Sequence, residues 1–447
     1  MPNVVVNIFK IPDLRNRIFF TLVILVVYRI GAHIPIPGIN VEALRAYFTQ
    51  AGSAGGLLDF VDLFSGGAFK RFTIFAMGIM PYISASIIID LLKVVFPALE
   101  RLAKEGHEGQ KKLTQYTRYG TVFLCGAQSF ALTMWMKSAM RTSAGGSVVP
   151  EDAGFGFVIV SVVAITTGTM VLVWLGDIIT ERGIGNGISL IIMAGIVVRA
   201  PQATAATIKK LGDSGEPIVG IILIGVFFAV VAASILLTLG QRRIPVQYGK
   251  KQTAAGVMQR TSQYIPLRVN AAGVIPIIFA AAIITFPTQM IGWIGGSSSS
   301  ILSRLQYWMS PGQVPYMIIY SGMIIFFCFF YTAIRFNPVE IADNLKKYGG
   351  FIPGIRPGQN TSDYIMSILN KINLSGSIFL ALIAITPDLI LRIWPEQVSV
   401  EMAHLFGGTS LLIIVGVALD TLQQIESQLL MRHYDGFLKG GRMKGRY

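Results

Sequence analysis

Residues 218–239 read IVGIILIGVFFAVVAASILLTL, 22 consecutive residues without a charged side chain. A helix rises about 1.5 Å per residue, so about 20 such residues cross the roughly 30 Å of hydrocarbon in a bilayer. We therefore expect this stretch to span a membrane, and nine further stretches are comparable. The ten predicted spans lie near residues 18–36, 72–96, 119–136, 155–175, 183–198, 218–239, 271–291, 316–334, 374–393 and 405–419.

The overall composition also favours a membrane protein. Of 447 residues, 53% are hydrophobic and 13% charged, and the mean hydropathy is +0.61. A typical soluble domain contains about 25% charged residues, because its surface must be polar. The sequence therefore predicts an all-α polytopic membrane protein.

Residue types that usually carry chemistry are sparse. Cys125 and Cys328 both fall within predicted spans, and the four histidines are scattered without the spacing of metal ligands. The sequence has neither a Walker-type glycine loop nor a G-x-S-x-G nucleophile elbow. We expect no catalytic residue, no metal site and no cofactor, so the protein is not expected to be an enzyme.

The distribution of lysine and arginine predicts the orientation, because basic loops stay on the cytoplasmic side. With the amino end inside, 25 of the 37 basic residues fall in cytoplasmic segments. An even number of spans then brings the basic carboxyl end back to the same side. We expect both termini to be cytoplasmic.

Two sequence motifs each occur twice. Residues 76–81 and 271–276 both read A-x-G-aliphatic-x-P, and residues 187–192 and 408–413 both read G-x-S-L-x-I. The first pair falls in spans two and seven and the second pair in spans five and ten, which indicates two five-span halves of opposite topology. The predicted organisation is an N-terminal half, a C-terminal half and a basic cytoplasmic tail, at residues 1–210, 211–425 and 426–447. Proline kinks that serve packing alone remain an alternative.

The repeats pair Ile83 with Ile278 and Ile192 with Ile413. Four isoleucines at related sites on irregular spans are able to converge on one constriction, although lipid contact or packing is the simpler explanation for each. The ionisable groups associated with the spans lie toward their ends, which argues against coupling to protons or ions.

A short amphipathic stretch follows the first span. Its apolar residues alternate with Asp59 and Asp62 on another face, and the run ends at Ser65-Gly66-Gly67. The stretch is too short to cross a membrane. It is either an interfacial helix or an element that enters an external opening.

Two cytoplasmic loops are long, at about residues 240–270 and 335–373. The first alternates apolar and polar residues on either side of Gly249-Lys250-Lys251, which predicts a projecting β-hairpin. The tendency of basic residues to lie inside explains the charge of both loops. Their length and turn residues favour a platform that docks an acidic partner or RNA phosphates.

Motifs along the whole chain resemble those of the SecY family, the central channel subunit of the bacterial protein translocase. They are YRIG at 28–31, IPIPG at 34–38, FSGG at 64–67, GIMPYI at 78–83, TERGIGNG at 180–187, ADNLKK at 342–347, GIRPG at 354–358 and FGGTS at 406–410. The resemblance implies two inverted five-helix halves around a central hourglass pore, with a short external plug helix and a cytosolic β-hairpin.

The resemblance also implies roles for individual residues. The pore ring consists of Ile79, Ile83, Ile192, Ile278 and Ile413. The plug lies at about residues 57–69 and includes Leu57, Leu58, Phe60, Val61, Leu63, Phe64, Ser65, Gly66 and Gly67. A lateral gate between spans two and three on one side and seven and eight on the other contains Thr73, Ser84, Gln128, Asn270 and Phe286. The docking residues for an ATPase or ribosome are Arg242, Arg243, Lys250, Lys251, Lys346, Lys347 and Arg356.

The implied function is a passive, gated channel in the bacterial plasma membrane that translocates unfolded secretory polypeptides and releases membrane segments laterally. The implied partners are SecE, SecG, the SecA ATPase, the translating ribosome, polypeptides with signal sequences, membrane lipids, YidC and SecDF. A small-solute secondary transporter with inverted repeats is the main alternative, and an intramembrane hydrolase is the third. The transporter predicts buried ionisable groups and the hydrolase a nucleophile with a base, and the sequence indicates neither.

Overall fold

The computed structural model describes residues 11–44, 62, 65–139, 148–149, 154–214, 217–248, 251–252, 258–259, 262–270, 273–281, 283–284, 308, 312–395 and 397–440. The helices are α1 (Pro12–Gly31), α2 (Met80–Val95), α3 (Pro97–Lys104), α4 (His107–Ala139), α5 (Phe155–Arg182), α6 (Gly187–Ser214), α7 (Pro217–Leu239), α8 (Val314–Arg335), α9 (Pro338–Lys347), α10 (Gln359–Ile393), α11 (Val400–Phe406) and α12 (Gly408–Gly440). The strands are β1 (Gln241–Tyr248), β2 (Lys251–Gln252), β3 (Met258–Gln259), β4 (Ser262–Arg268) and β5 (Gly350–Phe351).

The helices have the length and composition of membrane spans. Within the described residues, six helical segments are long and apolar enough to cross a bilayer, or seven if the bent pair of α2 and α3 is one span. Their exposed surface is apolar: on α7, Ile221 is 71% exposed and Leu236 is 72% exposed. Such side chains suit a lipid environment and would be costly in water. The chain is a multi-pass membrane protein, as predicted.

The predicted second span is not one continuous helix, which corrects the expectation for residues 72–96. Residues 66–79 form turns and bends, and α2 begins only at Met80. Phe72 and Gly78 have left-handed φ values of 47° and 56°, which a right-handed helix does not tolerate. Pro81 therefore lies in the first turn of α2, where no hydrogen bond to its nitrogen is lost.

The first predicted span also ends earlier than residue 36, because α1 stops at Gly31. The chain that follows it pairs with the turn region instead. The N–H of Ile36 donates to the carbonyl of Phe72 at 3.1 Å, and the N–H of Ile74 donates to the carbonyl of Ile34 at 3.2 Å. This pairing satisfies backbone groups that would otherwise be buried without partners.

The chain divides into two compact units. The first comprises Met1–Ala206, Val400–Met402 and Ile413–Tyr447, and the second comprises Thr207–Ser399 and Ala403–Leu412. The inverted relation between two five-span halves stays a prediction.

In the second unit, the predicted hairpin is present. β1 and β4 pair antiparallel with Ile244 opposite Ile265, and Ile244, Val246 and Leu267 are buried. β1 also pairs with β5, with Gln247 opposite Phe351, giving the strand order β4-β1-β5. The two long loops are therefore joined in one sheet, which the sequence did not indicate.

Candidate functional site

Four irregular helices begin at or two residues after a glycine with left-handed φ. Gly78 (φ 56°) precedes α2, Gly273 (φ 65°) precedes the helical residues 275–281, and Gly185 (φ 84°) precedes α6. Gly408 (φ 64°) is the first residue of α12. The two A-x-G-aliphatic-x-P motifs thus share their backbone geometry, because in both the helix begins two residues after the glycine. Only glycine adopts this conformation readily.

The five predicted ring isoleucines lie close to these helix starts. Ile79 is the N-cap of α2 and Ile83 follows one turn later, while Ile192 and Ile413 occupy the sixth residues of α6 and α12. Ile79, Ile192, Ile278 and Ile413 are buried, and Ile83 is half-buried. Ile278 belongs to the second unit and the other four to the first. Their convergence on one constriction stays a prediction.

The end of the predicted plug is bound to α1. The hydroxyl of Tyr28 donates to the carbonyl of Ser65 at 3.4 Å, and the guanidinium of Arg29 donates to the carbonyl of Gly66 at 2.8 Å. Ser65, Gly66 and Gly67 are described by the structure. The apolar plug residues Leu57, Leu58, Phe60, Val61, Leu63 and Phe64 lie outside the described residues.

A buried ion pair ties the same segment to α6. Arg199 Nη1 lies 2.7 Å from Asp62 Oδ2, and the two side chains are 8% and 0% exposed. Asp62 Oδ1 also accepts the backbone N–H of Lys70 at 3.0 Å. Sequence reasoning noted Asp62 only as part of a polar face and Arg199 only as a residue of an outer loop. Opposite charges next to apolar segments were the available signal for this pair.

The predicted lateral-gate residues have mixed environments. Thr73 is fully buried, and its hydroxyl donates a 3.4 Å bond to the carbonyl five residues earlier. Ser84 and Gln128 are half-buried. The buried side-chain oxygen of Asn270 has no hydrogen-bond partner within the described part of the chain. Phe286 lies outside the described residues, and the gate stays a prediction.

Of the predicted docking residues, Arg242 and Arg243 lie on β1, Lys346 and Lys347 end α9, and Arg356 lies between β5 and α10. Arg243 lies 4.8 Å from the ring centre of Tyr264 on the neighbouring strand. Beneath the sheet, Ile244 and Leu267 pack in one core with Ile365 of α10. The exposed basic residues are Arg242, Arg243, Lys346, Lys347 and Arg356. Lys250 lies outside the described residues, and Lys251 begins β2.

The model of the SecY family matches residues 73–422, more than half of the chain. The chain belongs to the SecY family. A relative from Streptomyces galbus, a protein translocase subunit SecY, is 47% identical over 436 residues and covers 96% of this chain and 98% of its own length. This membership, rather than any single residue, excludes the solute-transporter alternative.

Two solved structures share the fold. A protein-conducting channel aligns with a TM-score of 0.62 at 18% identity, covering 96% of this chain and 94% of the other. Sec61 in the canine ribosome-channel complex from the endoplasmic reticulum aligns with a TM-score of 0.58 at 16% identity, covering 96% and 94%. This chain therefore shares its fold with a protein-conducting channel and with a Sec61 channel of the endoplasmic reticulum.

Proposed function

We propose that this SecY-family chain forms a gated channel that moves unfolded polypeptides across the bacterial plasma membrane and releases apolar segments sideways into the lipid. The observation that carries the proposal is that four helices begin at, or two residues after, a glycine with left-handed φ. The proposed ring isoleucines lie close to these helix starts. Helices that stop and restart within a membrane are tolerated where they face protein or a cavity rather than lipid.

An aliphatic ring suits a substrate without a fixed sequence. A narrow apolar constriction blocks ions because water withdraws from it. A passing chain opens it easily, because contacts between aliphatic side chains are non-directional. Ile79, Ile83, Ile192, Ile278 and Ile413 are the proposed ring.

The segment that ends at Ser65-Gly66-Gly67 is the proposed plug. Its anchors are the Asp62–Arg199 ion pair and the bonds from Tyr28 and Arg29. Displacing the plug requires all three to break, so these contacts favour the closed state.

Lateral release is assigned to the polar residues Thr73, Ser84, Gln128 and Asn270, with Phe286 beside them. Interhelical hydrogen bonds in membranes are worth about 0.6–2 kcal/mol each, which is weak enough to reopen. A signal sequence that enters there replaces helix contacts with its own.

The platform formed by β4, β1, β5 and α9 is the proposed cytoplasmic docking surface. Its exposed arginines and lysines suit RNA phosphates or an acidic protein, and a Sec61 channel of the same fold has been solved in a ribosome-channel complex. We assign Arg356 chiefly to work with the SecA ATPase and Arg242 and Arg243 to the ribosome. SecE and SecG complete the channel, with YidC and SecDF as accessory partners, and both termini lie in the cytoplasm.

Reconstitution of the chain with SecE and SecG in vesicles, with SecA and ATP outside, tests the proposal. A secretory precursor is expected to become protected from added protease, and omission of ATP is the control. Saturable uptake of a small solute without any precursor uptake would contradict a polypeptide channel.

A further inference from the structure

A buried carboxyl group lies near the end of α10, outside every residue set assigned above. Asp388 is 3% exposed, and its Oδ1 has no hydrogen-bond partner within the described residues. Its other oxygen accepts the backbone N–H of Gly312, in the turn before α8. An ionised carboxylate is strongly unfavourable in such a place unless a cation pairs with it, whereas the neutral acid is far less so.

The described elements around Asp388 supply no such cation. α8 faces it with Tyr316 and Tyr320, whose stacked rings lie 5.6 Å apart and are uncharged at neutral pH. Neither α7 nor residues 408–412 contain an ionisable side chain, and α9 packs at the opposite end of α10. Arg392, four residues further along α10, is exposed. His404 of α11 is half-buried and is the other titratable side chain near the start of α12.

The residue before Asp388 packs directly against the start of α12. A Cβ at Gly407 would lie 2.8 Å from the ring of Pro387, and one at Gly408 would lie 3.0 Å from the same ring. No side chain separates the two backbones there, so a displacement of Pro387 is passed to the residues that begin α12. Ile413 of the proposed ring follows Gly408 by five positions.

We propose that Asp388 is a proton-binding site that regulates the channel. The proton resides on Oδ1, because the other oxygen accepts from Gly312. The charge distribution places this end of α10 on the outer side, so the proton comes from the outer compartment. The neutral acid keeps α10 packed against α12 and the channel closed. Loss of the proton leaves a buried charge, and the start of α12 loosens as water reaches it. This regulation rests on the proposed function.

Infrared spectra of the detergent-solubilised complex test the site without any transport. Between about pH 4 and pH 9, which covers exposed and buried carboxyl groups, a carboxylic-acid band is expected to disappear as the pH rises. Asp388→Asn should lack this band. Asp363→Asn, which changes an exposed carboxylate at the other end of α10, should retain it. Identical spectra of the unmodified chain and Asp388→Asn would overturn the proton site, whether or not the complex transports precursors.

The effect on the channel is measured as potassium leak from vesicles that contain the reconstituted complex. Raising the pH is expected to increase the leak of the unmodified chain several-fold. Asp388→Asn should leak little at every pH, and Asp388→Glu, which keeps an acid, should retain the rise. If Asp388→Asn does not assemble, Asp388→Ser is the neutral substitute.

His404→Gln is the matched control for this leak, and it should retain the rise. A rise that persists in the neutral Asp388 variant, that is lost in His404→Gln, or that is absent from the unmodified chain would overturn the regulation. The same vesicles report precursor uptake by the unmodified chain. Failure of that uptake counts against the channel itself and leaves the infrared result to decide the proton site.

Discussion

At the residue scale, the charges of Asp62 and Arg199 stabilise each other, because either charge would be costly to bury alone. Their side chains are 0% and 8% exposed and their charged atoms are 2.7 Å apart. Removing one partner of a buried pair costs about 3–5 kcal/mol, because the remaining charge is left uncompensated. The pair is stable only while the segment that contains Asp62 stays against α6.

Asp62→Asn and Arg199→Gln, each alone, are expected to loosen the proposed plug and raise ion leak through resting channels in vesicles. The double variant Asp62→Asn/Arg199→Gln should leak less than the sum of the two, because no lone charge remains. The measurement is the dissipation of a potassium gradient. Asp90→Asn is the control, since its 2.7 Å pair with Lys93 is partly exposed and contributes little. Additive leaks in the double variant would contradict an energetic link between Asp62 and Arg199.

The ring is tested at Ile83 and Ile278. Replacing either with Ser puts a hydroxyl and extra space into an apolar constriction, so water enters more readily. We expect a several-fold rise in ion permeability and weaker rejection of precursors with defective signal sequences. Ile221→Ser on α7 is the control, because Ile221 is 71% exposed on a helix face suited to lipid. Ion tightness unchanged in both ring variants would rule out a constriction at these sites.

At the element scale, the glycine breaks decide where the irregular helices begin. The repeated motifs located these positions in the sequence, but hydropathy alone merged residues 72–79 with α2 into one span. A hydropathy window averages side chains and does not detect a reversal of φ at Phe72 or Gly78. Proline was a sound marker of irregularity, although its physical role is to begin the helix rather than to kink it.

Gly187 lies where α6 approaches α5 closely, and adding a side chain there tests how tightly the two helices pack. A Cβ at Gly187 would overlap the carbonyl oxygen of Gly176 and lie 2.7 Å from Cβ of Ile179, so the helices must separate. Gly187→Ala is expected to lower stability by about 1–3 kcal/mol, measured as the thermal midpoint of the detergent-solubilised complex. Gly225→Ala on α7 meets no atom within 4 Å and should leave the midpoint unchanged or slightly raised. Equal effects at both glycines would show that the packing is not tight.

Because β1 and β5 place the two long loops in one sheet, substitutions can separate the role of each loop from the stability of the sheet they share. Arg356→Glu is expected to reduce ATPase-driven uptake more than ribosome binding, and Arg243→Glu to do the reverse. Each substitution reverses the charge at only one of the two proposed contact sites. Leu267→Ala should weaken both activities, since Leu267 is 1% exposed in the core beneath the sheet and such truncations cost about 2–5 kcal/mol. Precursor uptake and ribosome co-sedimentation are the two measurements. Equal losses of both activities in each charge variant would contradict separate assignments.

At the scale of the whole molecule, composition and charge bias predicted the membrane class, and the motifs predicted the family. Long-range contacts were out of reach of the same sequence. β1 meets β5 about a hundred residues later, and Asp62 meets Arg199 although four helices lie between them in the sequence. Local periodicity carries no information about such pairings, because they depend on how separate elements pack. Ile413–Tyr447 belongs to the first compact unit, whereas the sequence prediction placed residues 413–425 in the second half and residues 426–447 in a separate tail.

The orientation predicted from the basic residues is open to a direct test. Cys125 and Cys328 are buried, at 0% and 1% exposure, so neither should react with a bulky maleimide and an added cysteine reports its own position. Lys346→Cys lies on the proposed cytoplasmic platform and Lys209→Cys on the predicted outer side, and both positions are exposed. A membrane-impermeant maleimide is expected to label Lys209→Cys in spheroplasts and Lys346→Cys only in inverted vesicles, because basic loops are retained in the cytoplasm. The opposite pattern would show that the predicted orientation is wrong, because the platform would then face away from the compartment where precursor proteins are made.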